Sequence, residues 1–131
     1  MGTNEDNCAE GVLYPELSYQ IVGCAMAVHR ELGYGFLEKV YENALMVALR
    51  QDHLPAAQQS HIDVMFRGEC VGAYIADIVV NDKVILELKS GDGIAPEHIA
   101  QTLNYLKATG VKLGIILNFG KTGLEFKRVV L

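Results

Sequence analysis

Apolar residues recur at helical spacing between Glu16 and Leu32, at Leu17, Ile21, Cys24, Ala25, Val28 and Leu32, and the pattern stops at Gly33. Positions three and four apart share one side of a helix, so this stretch predicts a first amphipathic helix. A second is predicted from about Phe36 to Leu54, where Leu37, Val40, Tyr41, Ala44, Leu45, Ala48 and Leu49 form a stripe and Pro55 lies past the end. Gly33-Tyr34-Gly35 joins the two as a hairpin or corner. Beyond Pro55 the texture turns β-branched and alternating. It predicts a strand from Gln59 to Phe66, a turn at Arg67-Gly68-Glu69, a long strand from Cys70 to Val80, and a third from Val84 to Ser90 after a tight turn at Asn81-Asp82-Lys83. A helix from Pro96 to Thr109 starts with Pro and stops before Gly110, as helix ends favour. Leu113 to Phe119 and Glu125 to Val130 read as two further strands around a Gly120 to Gly123 turn.

The expected fold class is therefore α/β (α+β): a mixed sheet of about five strands, with 70–80 and 84–90 among the central ones. The first two helices should cover one side and the third should flank the sheet. Residues 1–15 lack apolar periodicity and are expected to be a flexible leader, leaving 16–131 as one domain.

The pattern also sets a register. With Asn81, Asp82 and Lys83 as a three-residue loop, Val80 faces Val84, Ile78 faces Leu86 and Asp77 faces Glu87. Ala76, Ile78, Val80, Val84, Leu86 and Leu88 then share one apolar face, and Ile75, Asp77, Val79, Ile85, Glu87 and Lys89 share the other. A two-residue turn would separate Asp77 from Glu87 and bury one of them in the apolar layer. Opposed residues on antiparallel strands have Cβ atoms about 5 Å apart, so both carboxylates can reach one cation. Oxygen ligands of this kind suit Mg²⁺ or Mn²⁺. Lys89, two residues past Glu87, is placed to stabilise a phosphate or orient water. An internal ion pair between Lys89 and the acids would account for the same spacing.

Composition narrows the partners. The chain has 131 residues and a net charge of −5, which disfavours nonspecific coating of nucleic acid. Residues 99–131 nonetheless carry five basic side chains (Lys107, Lys112, Lys121, Lys127, Arg128) against one acid, Glu125, which offers either a modest phosphate-facing surface or ordinary solvated charge. Three cysteines without a CxxC pair argue against a disulfide framework or zinc site, and Cys24 and Cys70 read as small core residues. No apolar run approaches the ~20 residues of a membrane span and the N-terminus is acidic, so a soluble cytoplasmic protein is expected.

Asp77, nine intervening residues and Glu87-Leu88-Lys89 resemble the Asp…(Asp/Glu)-x-Lys core of the PD-(D/E)xK nucleases, with Ala76 where the name expects Pro. Gln101-Thr102-Leu103-Asn104-Tyr105 resembles the QxxxY motif of the RecB-like branch. Gly35-Phe36-Leu37-Glu38-Lys39-Val40-Tyr41 resembles the motif of the GxxExxY group, with Tyr34 where that group commonly has Pro. On a helical wheel Glu38 falls beside Tyr41 and Leu45, inside the apolar arc. The resemblance continues through Val28-His29, Leu32-Gly33, Ala76-Asp77-Ile78, Ile85 to Ser90 and Leu117-Asn118-Phe119-Gly120. It implies a restriction-endonuclease-like core, a metal (Mg²⁺ or Mn²⁺) held by Asp77 and Glu87 with Glu38 as a further acid, hydrolysis assisted by Lys89, and Gln101 and Tyr105 orienting metal or substrate.

The leading expectation is a metal-dependent phosphodiesterase, a nuclease acting on DNA. A module that binds nucleic acid or protein without turnover, and a hydrolase of nucleotides or other small molecules, are the alternatives; a homodimer or a protein partner is left open. His29, His53 and His61 lack partners at metal-ligand spacing, and His29 reads as a packed or capping side chain. His98 shares a helix face with Gln101 and Tyr105 and is a candidate supporting group. Gly91-Asp92-Gly93 is read as a flexible link, since no Lys-Ser/Thr follows it to make a phosphate loop.

Overall fold

The computed structural model describes residues 12–131; residues 1–11, with Cys8 and most of the expected leader, lie outside the described residues. The elements are α1 (Pro15–Leu32), α2 (Glu38–Gln51), β1 (Ala56–Phe66), β2 (Glu69–Val80), β3 (Val84–Lys89), α3 (Pro96–Thr109), β4 (Leu113–Phe119) and β5 (Leu124–Val130). The sheet runs β1-β2-β3-β4-β5, with β3 and β4 parallel and every other neighbour antiparallel. Parallel neighbours cannot be joined by a tight turn, and α3 supplies the crossover. This is the expected mixed sheet with three helices.

α1 and α2 cover one face, where Ile21, Ala25, Tyr41, Leu45 and Leu49 meet Ile78, Val84, Leu86, Leu88, Leu117 and Phe119. α3 covers the other, with Leu106 over Ile85, Ile116 and Val129. Every residue of β4, and Val84 to Leu88 of β3, is buried. Coverage on both faces explains why these strands read as continuous apolar runs and do not alternate. Among the described residues no helix is long and apolar enough to cross a membrane.

The β2–β3 turn has the expected three residues: Val80 pairs with Val84, Val79 with Ile85 and Ile78 with Leu86. Asn81 and Asp82 have φ of 54° and 55°, and Lys83 N donates to Val80 O at 2.9 Å. Short polar side chains tolerate this left-handed backbone better than most residues do.

Four expectations are corrected. Ala76 packs with Ile62 and Ile85 on the α3 side, not with Ile78 and Val80. Strand alternation lapses at that level: Gln59, between the paired Gln58↔Ile78 and Ser60↔Ala76, has φ of 54° and leaves the ladder. Cys70 is exposed, since it sits at the far end of the β1–β2 hairpin beyond the covering helices, whereas Cys24 is buried. α2 is shorter than expected because Asp52 N closes on Ala48 O and Leu49 O and His53 turns to φ 61°. Glu38 is exposed, not inside an apolar arc, because the start of α2 is uncovered, with Leu37 at 80% and Val40 at 39% exposure.

Tyr41, fully buried, locks the α1–α2 link. Its hydroxyl donates to Gly33 O at 2.6 Å and accepts from Phe36 N at 3.2 Å, while its ring stacks on Phe119. His29 is a packed side chain, as expected: it stacks on Phe119, and its Nε2 donates to Gly120 O at 2.8 Å. Arg128 lies outside any basic surface, since it donates to Ser18 Oγ and to Leu13 O and ties β5 to the start of α1.

α3 approaches β4 so closely at Gly114 that a Cβ there would lie 2.6 Å from Thr102 Cγ2, and Thr102 is itself buried. Gly114→Ala is expected to destabilise by about 1–3 kcal/mol through overpacking. In a Thr102→Ser background, which drops the methyl and keeps the hydroxyl that donates to His98 O, the loss should shrink. Urea unfolding of the four proteins checks this, and equal losses in both backgrounds would discard the contact as the cause.

Candidate functional site

The β2–β3 ladder ends at Ile78↔Leu86, and Asp77 and Glu87 follow on the two strands. With no β2 partner beyond this point, Leu88 N donates to Asp77 Oδ2 at 2.8 Å. That bond anchors one carboxylate oxygen against the neighbouring strand. Burial raises the Asp77 pKa above the usual carboxylate range, the Leu88 N–H opposes the rise, and the charges of Glu42 and Glu38 add to it.

Glu87 is buried, and its pKa is pushed up to about 8, first by desolvation and then by the charge of Asp77. Lys89 and a hydrogen bond from Tyr74 Oη, at 3.4 Å, partly offset the rise. Lys89 is half-buried one turn of the pleat beyond Glu87. Among the described residues the ion pair within 4 Å is Lys39–Glu42, so Lys89 does not close onto Asp77 or Glu87 as the internal ion-pair alternative requires.

Tyr105 reaches this cluster through Tyr74. The two rings stack with planes 14° apart, and the charges of Glu87 and Asp77 help raise the pKa of both hydroxyls after burial. Gln101, one turn earlier on α3, is exposed. His98 caps that helix, its Nδ1 accepting from Ala95 N at 3.0 Å, which accounts for the residue structurally.

Sequence reasoning missed Glu42. It is 4% exposed and accepts from Gln58 Nε2 at 2.7 Å, from Gln59 Nε2 at 3.0 and 3.1 Å, and from Lys39 Nζ at 3.2 Å. A signal was present, since Glu42 lies four residues after Glu38 and continues its row through Leu45 and Leu49. Tyr74 was also missed, and nothing in its neighbourhood of sequence distinguishes it from a packing residue.

The described residues contain no group of three or more His, Cys, Asp or Glu side chains close enough to hold a metal ion. Asp77, Glu87 and Glu38 are thus not assembled into a three-carboxylate cage. The pair Asp77 and Glu87 still suits a hard cation, because both supply oxygen and their mutual charge is incompletely compensated. Mg²⁺ in particular is commonly held by one or two carboxylates with water and phosphate completing its shell.

The raised Glu87 pKa makes stability depend on pH. Between about 4.5 and 8 the folded chain holds a proton at Glu87 that the unfolded chain has released, so this group penalises folding increasingly as pH rises through that window. Glu87→Gln mimics the protonated form. In chelator it is expected to be more stable than the wild type at pH 8, with a margin that narrows toward pH 5. Melts across that range check the sign, and a margin independent of pH would remove Glu87 as its source.

A family model described as the PD-(D/E)XK nuclease superfamily matches residues 15–129. No match was found among curated proteins. Among solved structures, an alkaline exonuclease (LHK-Exo) from Laribacter hongkongensis superposes with a TM-score of 0.54 at 14% identity, covering 83% of this chain and 68% of that one. The structure of LHK-Exo in complex with dAMP gives a TM-score of 0.54 at 13% identity, covering 93% and 72%. The structure of SSO0001 gives 0.54 at 16% identity, covering 89% of this chain and 59% of that chain. At such identities the likeness is one of fold. Together with the family match over nearly the whole described chain, it supports one conclusion: this chain belongs to the PD-(D/E)XK nuclease superfamily.

Proposed function

We propose that the protein is a divalent-metal-dependent nuclease that hydrolyses phosphodiester bonds in DNA, with Asp77 and Glu87 as the residues that hold Mg²⁺ or Mn²⁺. The observation that carries this reading is the carboxylate pair at the end of the β2–β3 ladder, Glu87 buried and Asp77 half-buried, with Lys89 beside it and not closed onto it. Such a cation, when bound, stabilises the charge that develops on a phosphodiester under attack. Asp77, anchored by Leu88 N–H, keeps its second oxygen for the site. Lys89 directs its ammonium at the reacting phosphate or the attacking water. Water oxygen joins phosphorus, the ester oxygen leaves as an alcohol, and the phosphate stays with the other fragment.

In this reading Glu38, from the exposed start of α2, is a supporting acid, and Tyr105 and Gln101 line the approach for metal or substrate. DNA is favoured as substrate because a structural neighbour is an exonuclease and is seen in complex with dAMP. In the same reading the chain is a member of the GxxExxY group of the RecB-like branch, which the GxxExxY-like and QxxxY-like segments support, and 16–131 is one domain that works in the cytoplasm.

Calorimetric titration with Mn²⁺ should give binding to the wild type that is lost or weakened at least tenfold in Glu87→Gln and in Asp77→Asn, which keeps an acceptor for Leu88 N–H. Lys89→Ala should retain the metal while cleavage of linear, nicked or single-stranded DNA falls by about 10²–10³-fold. Lys89→Arg should rescue poorly, as guanidinium is larger, planar and permanently charged. A wild type that binds Mn²⁺ and DNA but cuts none of these substrates would favour the binding module instead. Undiminished cutting by Lys89→Ala would take that residue out of the mechanism.

A further inference from the structure

A concavity of about 540 Å³ opens at the carboxyl ends of the parallel strands β3 and β4. In α/β sheets this is the end at which ligands are bound, and the volume lies within the ~300–1,000 Å³ of small-molecule pockets. It adjoins the proposed site through covalent and hydrogen-bonded structure. Lys89 pairs with Asn118 across the parallel ladder. Asn118, only 2% exposed, clamps Gly91 two residues further on: it accepts from Gly91 N at 2.9 Å and donates to Gly91 O at 3.1 Å. The floor of the concavity is therefore held to the strand that carries Lys89, and the Gly91 end of the expected flexible link is fixed.

The walls are polar and of mixed sign. Asp92, Lys121, Thr122 and Glu125 line the concavity, and the α1–α2 link adds the aromatic ring of Tyr34, which is 57% exposed. Two carboxylates against one ammonium are a poor match for a phosphate. They match the edge of a nucleobase, which presents both donors and acceptors, and an exposed aromatic ring offers the face on which a base stacks. Resting on the nuclease reading above, we propose that this concavity is a subsite for one unstacked nucleobase of the substrate strand, held against Tyr34 while the adjoining phosphodiester lies at Lys89.

The ring of Tyr34 is free for this role because the neighbouring structure is held by another residue. The α1–α2 link is fastened by Tyr41, and Tyr34 sits between Gly33 and Gly35, so Tyr34→Ala should melt like the wild type. In chelator, where no cutting occurs, a dye-labelled single-stranded oligonucleotide is titrated with the full chain at several salt concentrations and followed by anisotropy. Loss of one base–aromatic stack is expected to weaken binding by Tyr34→Ala about 5- to 100-fold. Tyr34→Phe should stay within about twofold of the wild type, and the salt slope should not change, because no phosphate contact is removed. Wild-type affinity in Tyr34→Ala, equal losses in Tyr34→Ala and Tyr34→Phe, or a reduced salt slope would each overturn the subsite. So would a wild type that does not bind single strands. Mn²⁺-supported cutting of linear, nicked and single-stranded DNA by the same wild-type sample separates these failures from failure of the nuclease reading, which falls if none of the three is cut, whatever the Tyr34 variants do.

Discussion

The hydrogen bond from Leu88 N to Asp77 Oδ2 is the contact on which the arrangement of the site depends. A strand ladder that stops leaves its next amide without a partner, and burying such a group unpaired costs about 1–3 kcal/mol. Here a carboxylate supplies the missing acceptor. One exchange seals the end of the β2–β3 pairing and fixes an acid beside the acid of the adjoining strand. Gln59 completes the opening on the other side of β2, since its left-handed backbone takes it out of the ladder at the level of Asp77 and its amide turns to Glu42.

The electrostatic consequence is a group of neighbouring acids whose ionisation burial disfavours, so that Glu87 keeps its proton up to about pH 8 in the absence of a counterion. Burial raises the proton affinity of both Asp77 and Glu87, the charge of Asp77 adds to the rise at Glu87, the charges of Glu42 and Glu38 add to it at Asp77, and Lys89 does not close onto either acid. A structural network would be expected to neutralise itself, because an uncompensated buried charge works against folding. The two tyrosines extend the cluster to α3, so groups from both faces of the sheet and from its crossover helix converge near one strand end.

The motif residues differ in what they do physically. Tyr41, within the segment resembling GxxExxY, holds the α1–α2 link from the core side, its hydroxyl bonding to Gly33 O and Phe36 N of the backbone. It thereby sets where α2 begins and where Glu38 emerges. Tyr105, within the segment resembling QxxxY, reaches the acids by stacking on Tyr74. The likeness to the solved structures is of fold, at 13–16% identity, and chemistry belongs to the residues and their surroundings.

The element order, the three-residue turn and the neighbourhood of Asp77 and Glu87 were legible in the sequence, because apolar periodicity and turn chemistry are local and a strand's period of two converts a turn length into a register. The resemblance of three short motifs pointed to the superfamily for the same reason: it is carried by residues close together in the chain. Local pattern could not reveal that Glu42 is buried under Gln58 and Gln59, that Glu38 stands exposed, that Tyr74 bridges Tyr105 to Glu87, or that Ala76 leaves its expected face. Those outcomes depend on which helix turn overhangs which strand and on where a ladder breaks. Both are settled only when distant segments pack, because burial, and with it the cost of a charge, belongs to the assembled neighbourhood and not to the residue.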